Sequence, residues 1–385
     1  MHMDKLQERV QCVRDAASFK KTDRIPTHSH YWTYEILDAG YTLREAIYDY
    51  DKMYKSFMGF QEKYDFDFYN CLGWRNPFYT VDALDGNVYD FSENGEFLNI
   101  KDYSVMEGDE YPELIANPQK FIWEKIMPRK CKGFRKADAY EALAKAYEEH
   151  VKFNNYVGKL QADMTAVHGV PRNSVTNLYD VPFDFLTNQM RGLKNMCLDL
   201  RRHYPEVKEA VAALCEMLGI EGYFDTLLKP VEDDACFVTV HVMLAHSILH
   251  TNKWAEIYWP YFKRVIENCQ KAGNQLMLFT EADMLRFADY FDEAGKGVMT
   301  LQPEVDDVFE VRKRLPNCAI CGGMSPELLG YGTKEKCIEY GKKLIDELGR
   351  DGGFIMGQTK MMSYRNDAQP ENILAIQNLC KTYKG

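Results

Sequence analysis

The 385-residue chain lacks most of the short patterns that announce a reaction. It has no Gly-rich phosphate loop, no GxSxG elbow and no HExxH pair, so nucleotide, serine-hydrolase and zinc-peptidase chemistry find no starting point in it. It has no excess of positive charge. With 47 Lys and Arg against 58 Asp and Glu, its net charge of −11 argues against a surface that binds nucleic acid by releasing counterions. It has no long apolar run either: the longest, Ala235 to Ala245, is too short to span a bilayer and is interrupted by His241. The 11 cysteines form no paired framework, which points to reduced thiols. Cys318 and Cys321 make a CxxC, but residues three apart on a strand face opposite sides, so the pair is a poor zinc knuckle. The amino terminus, MHMDKLQERVQ, is charged and has no signal-peptide core. These features predict a cytoplasmic protein with no nucleic-acid or membrane partner.

What is present is the composition of a globular protein, 46% hydrophobic and 27% charged, without low-complexity tracts. After an opening helix, Lys5–Ser18, the stretch THSHYW reads as a first strand. A helical segment from Thr42 to Tyr64 follows, with Thr42 and Glu45 placed as a capping box. DFDFYN, residues 65–70, reads as a second strand with aromatic enrichment. Residues 71–134 are irregular, and the turns Asp85-Gly86 and Glu93-Asn94-Gly95 suggest small hairpins in an inserted excursion over one end of the fold. A helix, Ala137–Asn154, precedes a third predicted strand, Tyr156–Met164. Long helices to Leu228, a strand over 234–243, and then strands 275–279, 297–302, 317–321 and 353–357, each followed by a helix, complete the pattern. About eight strands alternating with helices predict an α/β fold, a single (β/α)8 TIM barrel spanning 1–385.

In such barrels ligands bind where strands end, because the sheet interior is packed. The segment NQLMLFTEAD, 274–283, is an apolar strand running into Glu281 and Asp283, and a carboxylate there must be paired, solvated or functional. The other strand ends bring His28, His30, Asn70, Asp163, His241 with His246, Gln302 with Glu304, Cys321, and Gln358 with Lys360. Plainer roles stand beside these. Asp283 fits a helix cap, His250 a hydrogen-bonded structural residue, and Cys321 a small packed residue beside Gly322 and Gly323; His241 and His246 fit either role. A cavity combining imidazoles with carboxylates can protonate a leaving oxygen, hold an acid or take a metal.

Several segments resemble the uroporphyrinogen decarboxylase superfamily, especially its corrinoid-linked methyltransferase branch. They are DRIP at 23–26, NPQKFIWEKIMPR at 117–129, PFDFL…RG at 182–192, YWPYFK at 258–263, FTEAD at 279–283, CGGMSPELLGYGTKE at 321–335, GGFIM at 352–356 and AQPEN at 368–372. The resemblance implies a (β/α)8 barrel. Its decarboxylases hold a tetrapyrrole with amino-terminal arginines and an aspartate after the second strand, where this sequence has THSHYW and Asn70. Its thiol-directed methyltransferases carry zinc on His-x-Cys after the fifth strand and a Cys after the last. Here those places read Phe279-x-Glu281 and 358–360, so the zinc ligands are not matched and the metal is left open.

The branch that remains implies a demethylase component: methyl transfer from a small methoxylated or methylated donor to a corrinoid (cobalamin) on a partner protein. In that reading Glu281, His241 and Asp163 are catalytic. His28, His30, Asn70, Trp74, His246, Gln302, Cys321 and Gln358 bind the donor, with Phe78 and Tyr79 available for ring stacking. A homodimer is one assembly open to it. The alternatives are a decarboxylase or lyase of a small carboxylate, held by Arg172, Arg75 or Lys360, and a non-catalytic barrel binding a corrinoid or tetrapyrrole.

Overall fold

Strands buried on both faces need helices on one side and a filled barrel on the other, and the chain supplies both. A computed structural model describes residues 2–70, 72–73, 77–86, 89–100, 104–172 and 181–384. Five strands, β5 (Thr239–Met243), β6 (Leu276–Thr280), β7 (Met299–Pro303), β8 (Ala319–Met324) and β9 (Phe354–Gln358), lie side by side in that order, all parallel. Every residue of β6, β7, β8 and β9 is buried. Beyond β9 the sheet continues through a parallel bridge between Thr27 and Met356 into β1 (His28–Ser29), which pairs with β2 (Phe68–Tyr69). On the other flank, Arg172 bridges to Ala235 ahead of β5. The stretch from Val170 to Arg172 therefore occupies the third strand position, and eight positions complete a (β/α)8 barrel.

The third strand is thus not Tyr156–Met164. Those residues lie inside a 30-residue helix, Ala139–His168, that buries Phe153, Tyr156, Leu160 and Met164 at three- and four-residue spacing. Gly169, at φ 67°, ends it with its N–H on the Thr165 carbonyl, a left-handed turn suited to glycine.

The barrel floor is closed by the first helix, His2–Ala17. Its Val13, Ala16 and Ala17 pack with Phe68, Cys236, Phe237, Met277, Ala319, Cys321 and Ile355 from the strands. Arg14 donates to the Ala235 carbonyl and Gly353 N–H to the Ala16 carbonyl, both at strand beginnings. The floor is therefore sealed, and the mouth at the strand ends is where a ligand can enter.

The excursion after β2 is mainly helical rather than built of hairpins. One hairpin is present, β3 (Tyr89–Phe91) with β4 (Leu98–Ile100), closed by the Glu93-Asn94-Gly95 turn. Asp85-Gly86 instead ends the helix Phe78–Ala83, with Gly86 N–H on the Val81 carbonyl. Short helices, among them Tyr111–Ala116, follow. The buried pair Arg191–Asp199, 2.5 Å apart, binds this region to the rest through the Tyr111 hydroxyl at 2.7 Å and the Met106 carbonyl. The capping box at Thr42 and Glu45 is present, on a short helix, Leu43–Ile47, that is separate from Tyr50–Tyr64. Among the described residues no helix is long and apolar enough to cross a membrane.

Candidate functional site

Strand alternation decides which side chains enter the barrel. On β6, Phe279 faces inward, because its ring meets the His30 ring edge-on at 4.9 Å. Glu281, two residues on, rises from the same face at the mouth, half-buried. Opposite Phe279 in the ladder is Gln302, fully buried. Its Nε2–H donates to His30 Nδ1 at 2.6 Å and to the Gln358 carbonyl at 3.3 Å, while its Oε1 accepts from Asn70 Nδ2 at 3.1 Å. Gln358 Oε1 accepts the backbone N–H of His30 at 2.8 Å. Four of the sequence candidates, His30, Asn70, Gln302 and Gln358, are thus joined in one hydrogen-bonded network drawn from strands far apart in the chain.

One layer deeper lies His28, with no exposed surface, its ring 5.7 Å from that of His30 and 4.6 Å from that of Phe68. Burial pushes its imidazole well below the usual value, the neighbouring His30 adds to that, and Asn70 opposes it weakly. Neither ring nitrogen has a hydrogen bond of good geometry, so His28 is a neutral ring inside the barrel. A Cβ at Gly357 would stand 3.3 Å from His28 Nδ1 and 3.4 Å from Cys321 Sγ, which places the buried Cys321 beside His28. Burial raises the Cys321 thiol well above its ordinary value, so it is protonated and packs as an apolar group. Cys318, three residues earlier, belongs to the other hydrophobic cluster, so the CxxC does face two ways.

The loop that carries Glu281 is held in an unusual shape. Ala282 has φ 55°, a left-handed conformation costly for a residue with a Cβ. Two acids after β7 hold it there. Glu304 Oε2 accepts Ala282 N–H at 2.8 Å, and Asp306 Oδ2 accepts Met284 N–H at 2.7 Å and Leu285 N–H at 3.3 Å. Burial lifts the Asp306 carboxyl above its usual range, with the two backbone donors opposing. Strain of this kind persists only where surrounding bonds over-determine it, and here those bonds fix the backbone of the loop that carries Glu281 at the strand end. Asp283 points to solvent and pairs with Arg286 at 3.3 Å. It does not cap the next helical turn, because that role falls to Asp306.

The remaining candidates lie elsewhere. His241 is on the side of β5 that faces the helices. Its Nε2 contacts the Tyr223 hydroxyl, and its ring packs edge-on against Tyr261 and Phe262 at 5.8 Å. Burial takes its imidazole down to about 4. The sequence cannot show this, because period-two alternation gives two faces without saying which is inner, and Val240 and Val242 take the inward one. His246, fully buried between Tyr258 and Phe287, is also outside the mouth; burial, then the Arg286 charge, lowers it to about 4. His250 is an exposed residue bonded to Asn252. Asp163 is on the outer helix, accepting from Tyr54 at 2.7 Å and Lys159 at 2.5 Å, because its supposed strand is helical. Arg172 is held by Asp234 and Glu232 at the opposite end of the barrel, and Lys360 is exposed. Phe78 and Tyr79 pack on Tyr48 within the excursion. Trp74 and Arg75 lie outside the described residues.

Asp184 escaped sequence reasoning. It is buried and accepts from Tyr258 at 2.7 Å and from Ala245 N–H at 2.8 Å, fixing the turn after β5. The only hint of it was its place in PFDFL. No group of three or more His, Cys, Asp or Glu among the described residues is arranged to hold a metal ion. A groove of about 680 Å³ between the first helix and Ala139–His168 is lined by Leu6, Gly158, Gln161, Ala162, Thr165, Ala166 and Arg172. It is outside the barrel, and it lacks the convergent polar groups found at the mouth.

Compared with known families, residues 181–383 match the model of uroporphyrinogen decarboxylase (URO-D). Among solved structures the chain is similar to a methyltransferase from Methanosarcina mazei, with a TM-score of 0.58 and 12% sequence identity across 99% of both chains. At that identity the likeness shows a shared fold. No curated protein shows a significant match.

Proposed function

The chain belongs to the uroporphyrinogen decarboxylase family, and we propose that its barrel moves a methyl group from a small, neutral methoxylated or methylated compound to a corrinoid carried by a partner protein. The observation that carries this reading is the character of the mouth. It joins imidazole and amide side chains with one carboxylate at the end of β6, and among the described residues no Lys or Arg side chain enters the hydrogen-bonded network. A substrate bearing several carboxylates needs cations to replace its hydration. Of the sequence candidates for that task, Arg172 is occupied at the other end, Lys360 is exposed, and Arg75 lies outside the described residues. A neutral donor needs only hydrogen bonds and an apolar wall, which Phe279 provides.

The corrinoid would supply the acceptor for the methyl group. This chain's part is to bind the donor with its methyl toward the open mouth and to assist the leaving oxygen. An aryl ether leaves poorly as an anion, and a proton delivered to its oxygen as the methyl–oxygen bond breaks, with that electron pair staying on oxygen, lowers the barrier. Glu281, half-buried on a loop fixed by Glu304 and Asp306, is the acid in this scheme. His30 and Asn70 orient the donor. His241 and Asp163 have no part, given where they lie. The protein would thus be an enzyme of the family's methyltransferase branch, working with a corrinoid protein in the cytoplasm.

The deciding experiment mixes the purified protein with chemically reduced cob(I)alamin and a panel of methoxylated aromatics and methylamines, and follows methylcobalamin by its absorbance. Formation with one donor, lost in Glu281→Gln protein that still binds that donor, supports the reading. No methylcobalamin with any donor, or a fully active Glu281→Gln, overturns it.

A further inference from the structure

The long outer helix, Ala139–His168, is apolar on two opposite sides. One side meets the core through Phe153, Tyr156, Leu160 and Met164. On the other, Tyr140, Tyr147 and Val151 stand one above the next with Leu143 beside them, and all four are exposed, Tyr140 by 89% and Tyr147 by 69%. A step of seven residues from Tyr140 to Tyr147, and of four more to Val151, is the spacing of a seam between two helices. The row continues through Asn154, Gly158, Ala162 and Thr165, and none of these positions bears a charge. Its amino half projects rings, whereas its carboxyl half is hollow: Gly158, Ala162 and Thr165 line the groove of about 680 Å³ beside Leu6 of the first helix. Glycine weakens a helix interior, and the fold itself does not call for one here, because a Cβ at Gly158 would meet no atom of this chain within 4 Å. Close approach by another molecule does call for it.

We propose that a second copy of this chain docks on this face, the two outer helices packing antiparallel. The occupant follows from the face being its own complement. A two-fold axis between positions 152 and 153 sets Tyr147 of each copy over Gly158 of the other, Tyr140 over Thr165, and Val151 against Asn154, so the rings of each copy enter the hollow of its partner. Parallel copies would stack tyrosine on tyrosine and leave both hollows empty. Charge selects the same direction. On one flank of the row Glu141 and Glu148 lie in the amino half and Lys159 in the carboxyl half. Antiparallel pairing therefore brings Glu148 beside Lys159, which also holds Asp163 at 2.5 Å, whereas parallel pairing sets acid against acid. From Tyr140 to Thr165 the row is about 38 Å long and, at a helix width of about 11 Å, covers on the order of 400 Å² per copy. Doubled, that falls below the range of permanent interfaces, so the dimer forms and parts with concentration. The helix descends to the floor, where Arg172 bridges to Ala235, so antiparallel pairing turns the two mouths in opposite directions and leaves both open. The docking face is independent of the chemistry at the mouth.

Sedimentation velocity over roughly a hundredfold range of protein concentration reads the association directly. The wild type should shift from monomer toward dimer as concentration rises. Tyr147→Glu, which puts a charge on the ring side, and Gly158→Glu, which fills the hollow, should each weaken association by about tenfold or more. Thermal unfolding at low concentration should be unchanged in Tyr147→Glu and unchanged or raised in Gly158→Glu, because the new side chain at 158 enters open space and replaces a glycine within a helix. Direction is read by disulfide formation. Tyr147→Cys and Gly158→Cys proteins, oxidised as a mixture, should give an interchain bond between the two new thiols, identified by peptide mass. Each protein alone should give no bond at its new site, since like positions lie about 16 Å apart along the paired helices. A wild type that stays monomeric throughout, a dimer that survives either glutamate, a Tyr147→Cys protein linked to itself, or a mixture that forms no bond between the two sites overturns the proposal. Should one glutamate variant fail to fold, the other and the disulfide pattern decide.

Discussion

Two pairs of histidines stand at the ends of barrel strands, one on each side of the wall, and the contrast between them separates binding from packing. His28 and His30 project inward from β1, where His30 joins amides from β2, β7 and β9. His241 and His246 project outward from β5 and the turn after it, where their neighbours are Tyr223, Tyr258, Tyr261, Phe262 and Phe287. In sequence the two pairs look alike. In space, the inner pair shares a wall with Glu281, a strand-end carboxylate carried on a strained loop, while the outer pair packs among aromatic rings.

The contrast is sharpest in activity. Glu281→Gln and His30→Ala should each cut methyl transfer to cob(I)alamin by about 10²- to 10⁴-fold, the range expected for losing a positioned proton donor or a key orienting contact. His241→Phe should retain turnover, because the Tyr223 hydroxyl keeps Thr239 as a partner at 3.1 Å. Steady-state rates on the three proteins decide it. An inactive but folded His241→Phe would move the chemistry to the outer face.

Acid titration exposes the outer pair. His241 and His246 each fall from 6.5 to about 4 in the folded state. The unfolded chain therefore binds protons first as the pH drops. The stability that comes from keeping these rings neutral is complete above about pH 6.5 and is lost progressively down to about pH 4. The loss amounts to about 3 kcal/mol per ring at the lower limit. Urea unfolding at pH 7, 5.5 and 4.5 measures it. Buried His28 of the inner pair contributes to the same limb, so His241→Phe should flatten it by roughly a third, and an unchanged slope would show that the ring is not a titrating group.

The carboxylate loop gives a smaller effect. Ala282→Gly removes the strain at φ 55° and should leave stability unchanged or raise it by up to about 1 kcal/mol. The same change loosens Glu281 and should lower the methyl-transfer rate by roughly three- to tenfold, with little change in donor binding. Glu304→Ala, which removes the acceptor of Ala282 N–H, should act in the same direction. Equal rates in all three proteins would mean that the cradle is structural only.

How much of this was legible in the sequence follows from chain distance. Strands β5 to β9 are apolar runs of five or six residues set between helices with clear periods, so their order and the barrel can be read. Glu281 at a strand end is visible for the same reason. The inner network is less so: His30, Asn70, Gln302 and Gln358 can be named as strand-end residues, but their bonds span up to 328 positions. The acceptors that shape the Glu281 loop sit about 22 residues downstream, where Glu304 can be named as a strand-end residue but not its partner, and nothing in the local pattern distinguishes Asp306 from a surface acid. Which histidines face inward depends on where the neighbouring strands stand.

The third strand was misplaced for a simpler reason. Val170 to Arg172 is too short to display a period, whereas Tyr156 to Met164 is rich in apolar residues and follows Asn154-Asn155, which resembles a break. Yet Tyr156, Leu160 and Met164 recur every four residues, the spacing of one helical face, and Asp163 falls on the side that leans toward Lys159 and Tyr54. That geometry predicts the smallest effect of all. Asp163→Asn keeps a carbonyl oxygen for the Tyr54 hydroxyl and loses only a solvent-screened ion pair, so its Tm should stay within about 2 °C of the wild type. Its methyl-transfer rate should match the wild type too, because a residue on the outer helix does not meet a ligand in the mouth. A large loss of turnover with the fold intact would mean that the outer helix takes part in the reaction, and it would break the division between the inner and outer faces on which the site assignment stands.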